Sequence, residues 1–194
     1  MGLLTKDRDI HILPLSFENA KDEKAIYLLS DVHFDSVKCD RRLFFKHLQM
    51  AQEEGASVFI LGDLMDLMHM PRDPRGNYDS LRPELKKMAY IDEVIKDCAD
   101  KLQPYNDVIK LISMGNHETN ITKRHGVDCT QRIVALLNAS GGDVVAGYYA
   151  GWVILKCDRK GQGTRRSYPL HYHHGYGGNA KRSKGVLNVD IDMK

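Results

Sequence analysis

Asp31-Val32-His33, Gly62-Asp63-Leu64-Met65-Asp66, Gly115-Asn116-His117-Glu118 and His171-Tyr172-His173-His174 are the stretches of this chain best equipped for chemistry. Together they offer carboxylates, imidazoles and a carboxamide, and hard oxygen donors mixed with imidazole suit a divalent metal ion. One residue separates Asp31 from His33, so in extended backbone both side chains share a face and can hold one ion. Asp63 leaves a neighbouring strand end, where its two oxygens can bridge two ions. Asn116 adds a neutral oxygen for the second ion, and a histidine from the last stretch completes that side. Two cations about 3.5–4 Å apart clamp the oxygens of a phosphoester and generate hydroxide at neutral pH. His117 adjoins a ligand without needing to be one, and reads as the group that stabilises charge or gives a proton to the leaving oxygen.

Something must bring these stretches to one place. Each follows a short apolar run, Ala25–Leu29, Val58–Leu61, Val108–Ile112 and Tyr168–Leu170. Such runs, closed by Gly or Asp, read as central strands. If the strands are roughly parallel, their carboxyl ends open onto one crevice, where ligands bind. An α/β fold is the expectation.

The remaining elements follow in order. Asp9–Phe17 alternates and reads as an edge strand. Asp40 is an N-cap for a helix carrying Phe44, Leu48 and Ala51, stopped by Gly55. With the strand Ser57–Leu61 it forms a strand–helix–strand unit, which predicts a right-handed parallel crossover. Residues 70–83 form a polar insert beside the strand ends, and His69 and the insert's arginines are further site candidates. Glu84–Leu102 reads as the clearest helix, with the apolar stripe Leu85, Met88, Ile91 (or Asp92), Ile95, Cys98 and Leu102. Asp128 or Thr130 caps another, carrying Ile133, Val134, Leu136 and Leu137. Asp143–Cys157 and Arg165–His173 then read as a hairpin turning at 158–163. Val186–Ile191 begins a further element.

A chain of 194 residues suits one domain spanning 1–194. A formal charge of +2 is too near neutral to indicate nucleic acid by itself. No apolar run approaches the roughly 18 residues of a membrane span, and the N-terminus lacks a signal-peptide pattern. Cys39, Cys98, Cys129 and Cys157 form no CxxC pair, which argues against a thiolate zinc site and a disulfide framework. A reduced, cytoplasmic location and no membrane partner are the expectations.

The order DxH, GDxxD, GNH[DE] and a histidine after a strand resembles the calcineurin-like metallophosphoesterases, over about 31–178, and in tone their small phage and archaeal members. The resemblance implies a two-sheet β-sandwich flanked by helices. It implies two divalent ions, manganese first, with iron, zinc, nickel, cobalt or magnesium as alternatives. Asp31 and His33 would bind the first ion, Asp63 would bridge, Asn116 and His173 (with His174 close behind) would bind the second, and His117 would be catalytic. The implied activity is hydrolysis of a phosphodiester, in a nucleic acid or nucleotide, or of a phosphomonoester. Protein phosphatases that share GNHE place Arg and Gly after GDxxD, whereas Leu67-Met68 stand here, which disfavours a protein substrate. Arg72, Arg75 and Arg82, with Lys123 and Arg124, read either as a basic rim for a phosphate-rich substrate or as scattered surface charges. Asp66 and Glu118 read either as orienting partners of the ligands or as first-turn helix carboxylates. The family's closing GHxH motif is missing. A C-terminally truncated chain lacking its last element is the expectation, with a non-catalytic metal-binding or scaffold module as the rival.

Overall fold

The structure is a computed structural model that describes residues 4–7, 9–67 and 78–175. In chain order the elements are β1 (Leu4–Asp7), β2 (Ile10–Phe17), β3 (Ile26–Leu29), α1 (Arg41–Glu53), β4 (Ser57–Leu61), α2 (Tyr90–Leu102), β5 (Ile109–Ser113), α3 (Asn116–His125), α4 (Cys129–Ala139), β6 (Val145–Gly147), β7 (Ala150–Arg159) and β8 (Gln162–His173). The strands form two four-stranded sheets, β1-β2-β7-β8 and β3-β4-β5-β6. The second sheet is parallel throughout. In the first, β2 runs parallel to β7 and the outer pairs are antiparallel. The class is mixed α/β.

Side-chain alternation explains the layering. Val58 and Ile60 join α1, α2 and α4 in one apolar cluster, whereas Phe59 points the other way. It meets Leu13, Leu111, Val153 and Tyr172 between the sheets. In β5 the pairing jumps from Val58–Ile109 to Phe59–Leu111, so the extra residue Lys110 turns Ile109 and Leu111 to opposite layers. Phe59 is fully buried, and such a side chain contributes about 1.5–3 kcal/mol.

α1 forms as its cap and stripe predict. Asp40 accepts from the Leu43 amide, and Phe44, Leu48 and Ala51 are buried. In α4 the cap is Asp128, which accepts from Gln131, while Thr130 is inside the helix; Leu136 is 44% exposed and leaves the expected stripe.

Four expectations change. β2 is not an edge, because β1 and β7 flank it. The helix expected from Glu84 begins at Tyr90. Pro83–Leu85 is a single 3-10 turn that buries Leu85, and Met88 is fully exposed. Tyr90 sets the true start, since its hydroxyl donates to buried Asp35. The strand expected over 143–157 is two strands: β6 finishes the parallel sheet and β7 crosses to the other. The β7–β8 hairpin forms as expected, but its turn is tighter, with Arg159 paired to Gln162. α3, which opens on Asn116, was not anticipated.

The four cysteines are unpaired. No helix among the described residues is long and apolar enough to cross a membrane. Val186–Ile191 lies outside the described residues.

Candidate metal centre

The parallel sheet delivers three of the four stretches to one edge, and the end of β8 brings the fourth. Beyond β3 and β4 the two chains run together. The Asp31, His33 and Phe34 amides donate to the Gly62, Asp63 and Leu64 carbonyls at 3.2, 3.0 and 2.8 Å. Asp31, His33 and Asp63 all have left-handed backbone, with φ of 54°, 50° and 49°. Non-glycine residues pay about 1 kcal/mol or more for that region, and such strain concentrates at functional sites.

This backbone corrects the DxH geometry. The chain has left extended conformation by Asp31, so the two side chains do not share one strand face. His33, Asp63 and His117 form one group whose potential ligand atoms lie within 4.8 Å of one another. Asp31, Asp63 and His174 form a second group by the same measure. Asp63 belongs to both.

Asp63 is 3% exposed. Its Oδ1 accepts from the His117 amide at 3.0 Å, and its Oδ2 lies 3.2 Å from His174 Nε2 and 3.6 Å from His117 Nε2. Burial pushes its carboxyl up, but the His174 imidazole and the His117 amide outweigh it and hold the group below the usual range. The imidazoles are oriented from behind. His174 Nδ1–H donates to the Leu61 carbonyl at 3.0 Å, and His117 Nδ1–H donates to the Asp66 carbonyl. Each ring therefore turns Nε2 toward Asp63. Metal-bound histidines are anchored in this way, through the second nitrogen to a carbonyl or carboxylate. The donor types and their orientation fit a divalent ion in each group. The Asp63 contact raises His174 to about 9.

Asp66 sits behind two of these rings. Its Oδ1 is 3.4 Å from His33 Nδ1 and 3.4 Å from His117 Nδ1, and it is the main reason the His33 pKa is raised. Glu118 is fully buried and accepts from the amides of Asp63, Met65 and Gly115 at 3.2, 3.0 and 2.8 Å. Both carboxylates therefore hold the site together, and Glu118 is at the same time a first-turn carboxylate of α3, accepting from its N-cap amide. Glycine is needed at 62 and 115. Gly62 has φ +87° and a Cβ there would strike His174, while one at Gly115 would strike the Asp63 carboxylate.

Asp35 was missed. It is fully buried and accepts from Asp66 N at 2.5 Å, Leu67 N at 3.1 Å and Tyr90 Oη at 2.6 Å. Its position two residues beyond His33 was the available signal.

Asn116 is the exposed first residue of α3, beside His117 at the same strand edge. Other expected residues fall elsewhere. His173 is outside both groups: its Nδ1 accepts from Gly175 N at 2.8 Å and its ring meets Tyr149. Of the two adjacent histidines, His174 is the one brought to Asp63. Arg82 is 5% exposed and pairs with Asp97 and Glu84, with its guanidinium over the Phe34 ring, so it is a packing residue rather than a rim cation. Arg72, Arg75 and His69 lie outside the described residues. A cavity of about 510 Å³ opens over the groups, lined by Asp31, His33, Asp66 and His117 together with Lys38 and Ser80.

No family model, curated protein or solved structure matches this chain.

Proposed function

We propose that this chain is a dinuclear metal-dependent phosphoesterase of the calcineurin-like type, acting on phosphodiester bonds of a nucleic acid or nucleotide, or on phosphomonoesters. The observation that carries the reading is Asp63, one buried carboxylate common to two three-donor groups at the carboxyl ends of parallel strands. The motif order and the pairing of a parallel sheet with a mixed one support the same family and its sandwich fold.

His33 and His117 would hold one ion and Asp31 and His174 the other, with Asp63 between them. Manganese is the first choice by the family resemblance, and the mixture of carboxylate and imidazole suits iron, zinc or nickel as well. Bound there, the ions would supply Lewis acidity toward phosphoryl oxygens and lower the pKa of water. The chain's own contribution is orientation. The Leu61 and Asp66 carbonyls fix the protons of His174 and His117 on Nδ1. Glu118 and Asp35 fix the backbone of the Asp63–Leu67 segment. With Nδ1–H held by the Asp66 carbonyl, neutral His117 offers the Nε2 lone pair to an ion, and only as the imidazolium would it give a proton from Nε2 to a leaving oxygen. Lys38, not Arg82, is the cation that lines the cavity among the described residues.

A scaffold module is the second reading. Each group has three side-chain donors among the described residues, and open coordination positions are a mark of catalytic sites rather than structural ones.

Hydrolysis of bis(p-nitrophenyl) phosphate with added manganese tests the proposal. Turnover should be present in the wild type and absent in Asp63→Asn. His117→Ala should lose turnover with both ions retained if His117 is the proton donor, and lose an ion if it is a ligand. A folded wild-type chain that binds manganese without turnover would establish the scaffold reading.

A further inference from the structure

A row of rings runs outward from the metal centre along the β7–β8 hairpin. His174 contacts Tyr149 at 5.4 Å between centroids, and Tyr149 also contacts His173 at 5.4 Å, both edge-on at 82°. His173 lies 6.5 Å from His171, and His171 lies 4.6 Å from Trp152. The row therefore joins a donor of the Asp63 group to the protein's single tryptophan. Trp152 is 44% exposed, an unusual state for so large an apolar ring, and His171 beside it is exposed as well. Trp152 and His171 face one another across the β7–β8 register.

Spacing and charge limit what could lie there. His171 and His174 are three residues apart, about 10 Å along a strand. That is a reach of a few nucleotides from the centre. Residues 144–157 and 166–175, which carry the rings, contain no Asp or Glu, although the chain has 26 such residues. Lys156 shares the Trp152 side of β7 by strand alternation and is exposed. The two exposed rings, Trp152 and His171, have Lys156 and then Asp158 further along the same side of β7 and no carboxylate between them along the two strands, which matches the requirements for stacking bases at the outer end of the row. A duplex hides its base faces and would gain nothing from the row.

We propose that this row is a binding track for single-stranded nucleic acid, with Trp152 as its outer stacking surface, so that a strand engaged at the metal centre continues over the hairpin. This rests on the phosphodiesterase reading for the direction of the strand but not for binding itself.

Trp152 supplies the probe. Intrinsic fluorescence of the Asp63→Asn chain is followed in EDTA during titration with oligothymidylate and oligouridylate, which separates DNA from RNA. Anisotropy of a labelled oligothymidylate gives affinities for Trp152→Ala and His171→Ala. The expected result is saturable quenching by at least one single strand, weakened by salt, with Trp152→Ala binding about tenfold more weakly, the loss of one stacked base. No quenching by either strand, equal binding of duplex, or unaltered affinity in both variants would overturn the track. Wild-type turnover of bis(p-nitrophenyl) phosphate, measured in parallel, reports separately on the phosphoesterase reading. Turnover without strand binding removes only the track. Strand binding without turnover leaves the track and removes the enzyme.

Discussion

Glu118 touches no donor atom of either group, yet it holds the backbone that carries Asp63, so its replacement separates support from ligation. Alanine would leave three buried amides, those of Asp63, Met65 and Gly115, without an acceptor. At about 1–3 kcal/mol for each orphaned donor, the loss is about 3–9 kcal/mol, a large part of the 5–15 kcal/mol of an ordinary domain. Glutamine keeps one acceptor oxygen. Set at the Oε2 position, it serves Asp63 and Gly115 but turns an NH2 toward the Met65 amide, at a cost of about 1–3 kcal/mol. Burial pushes the Glu118 carboxyl above its ordinary 4.5, so the folded chain binds that proton more tightly than the unfolded one. The wild type's advantage over Glu118→Gln is therefore greatest below about pH 4.5 and shrinks as pH rises through the folded-state value. Guanidinium unfolding in EDTA across this range measures the stabilities. Manganese titration measures the site, where a lost orienting partner typically costs 10–100-fold in affinity. If Glu118→Ala unfolded within 0.5 kcal/mol of the wild type and bound manganese equally well, the assignment of Glu118 as the clamp of this site would be refuted.

Two further predictions follow from the same geometry. His174 is raised from 6.5 to about 9 by Asp63, so without metal its stabilisation is complete below pH 6.5 and disappears as pH passes about 9. His174→Ala should flatten the stability profile over that interval, and manganese binding near pH 7.5 should release a proton, read by calorimetry in buffers of different ionisation heat. Arg82→Ala should lower stability by about 2–4 kcal/mol, because it leaves Asp97 without its partner and uncovers Phe34. It should leave KM for small phosphoesters unchanged, and a raised KM with unchanged stability would restore the rim reading.

β3, β4 and β5 were legible because each is a short apolar run followed by or ending in Gly or Ser, and the motifs mark their carboxyl ends, whereas β6 was merged with β7 and the run Tyr168–Leu170 lies in antiparallel β8. α1 and α4 were legible from a capping aspartate and a helical stripe. What escaped was tertiary. No local pattern says that β2 will be covered by β1, or that the chain will cross between sheets after Gly147. The α2 start was misplaced because Leu85 is buried by a separate turn and Tyr90 is drawn to Asp35, a contact 55 residues apart. At the site, residue types were readable but directions were not. The left-handed backbone at Asp31 and His33 breaks the two-residue alternation on which their shared ion was reasoned. His174 was preferred over His173 only once Leu61 and Asp63 were seen on either side of its ring.

The most direct test counts manganese ions per chain in the wild type and in Asp63→Asn, His33→Ala and His174→Ala. If Asp63 is common to both groups, the wild type binds two ions, each histidine variant loses one, and Asp63→Asn loses both while remaining folded. A wild-type chain that binds none, or an Asp63→Asn chain that keeps both, would contradict the shared centre on which the proposed chemistry depends.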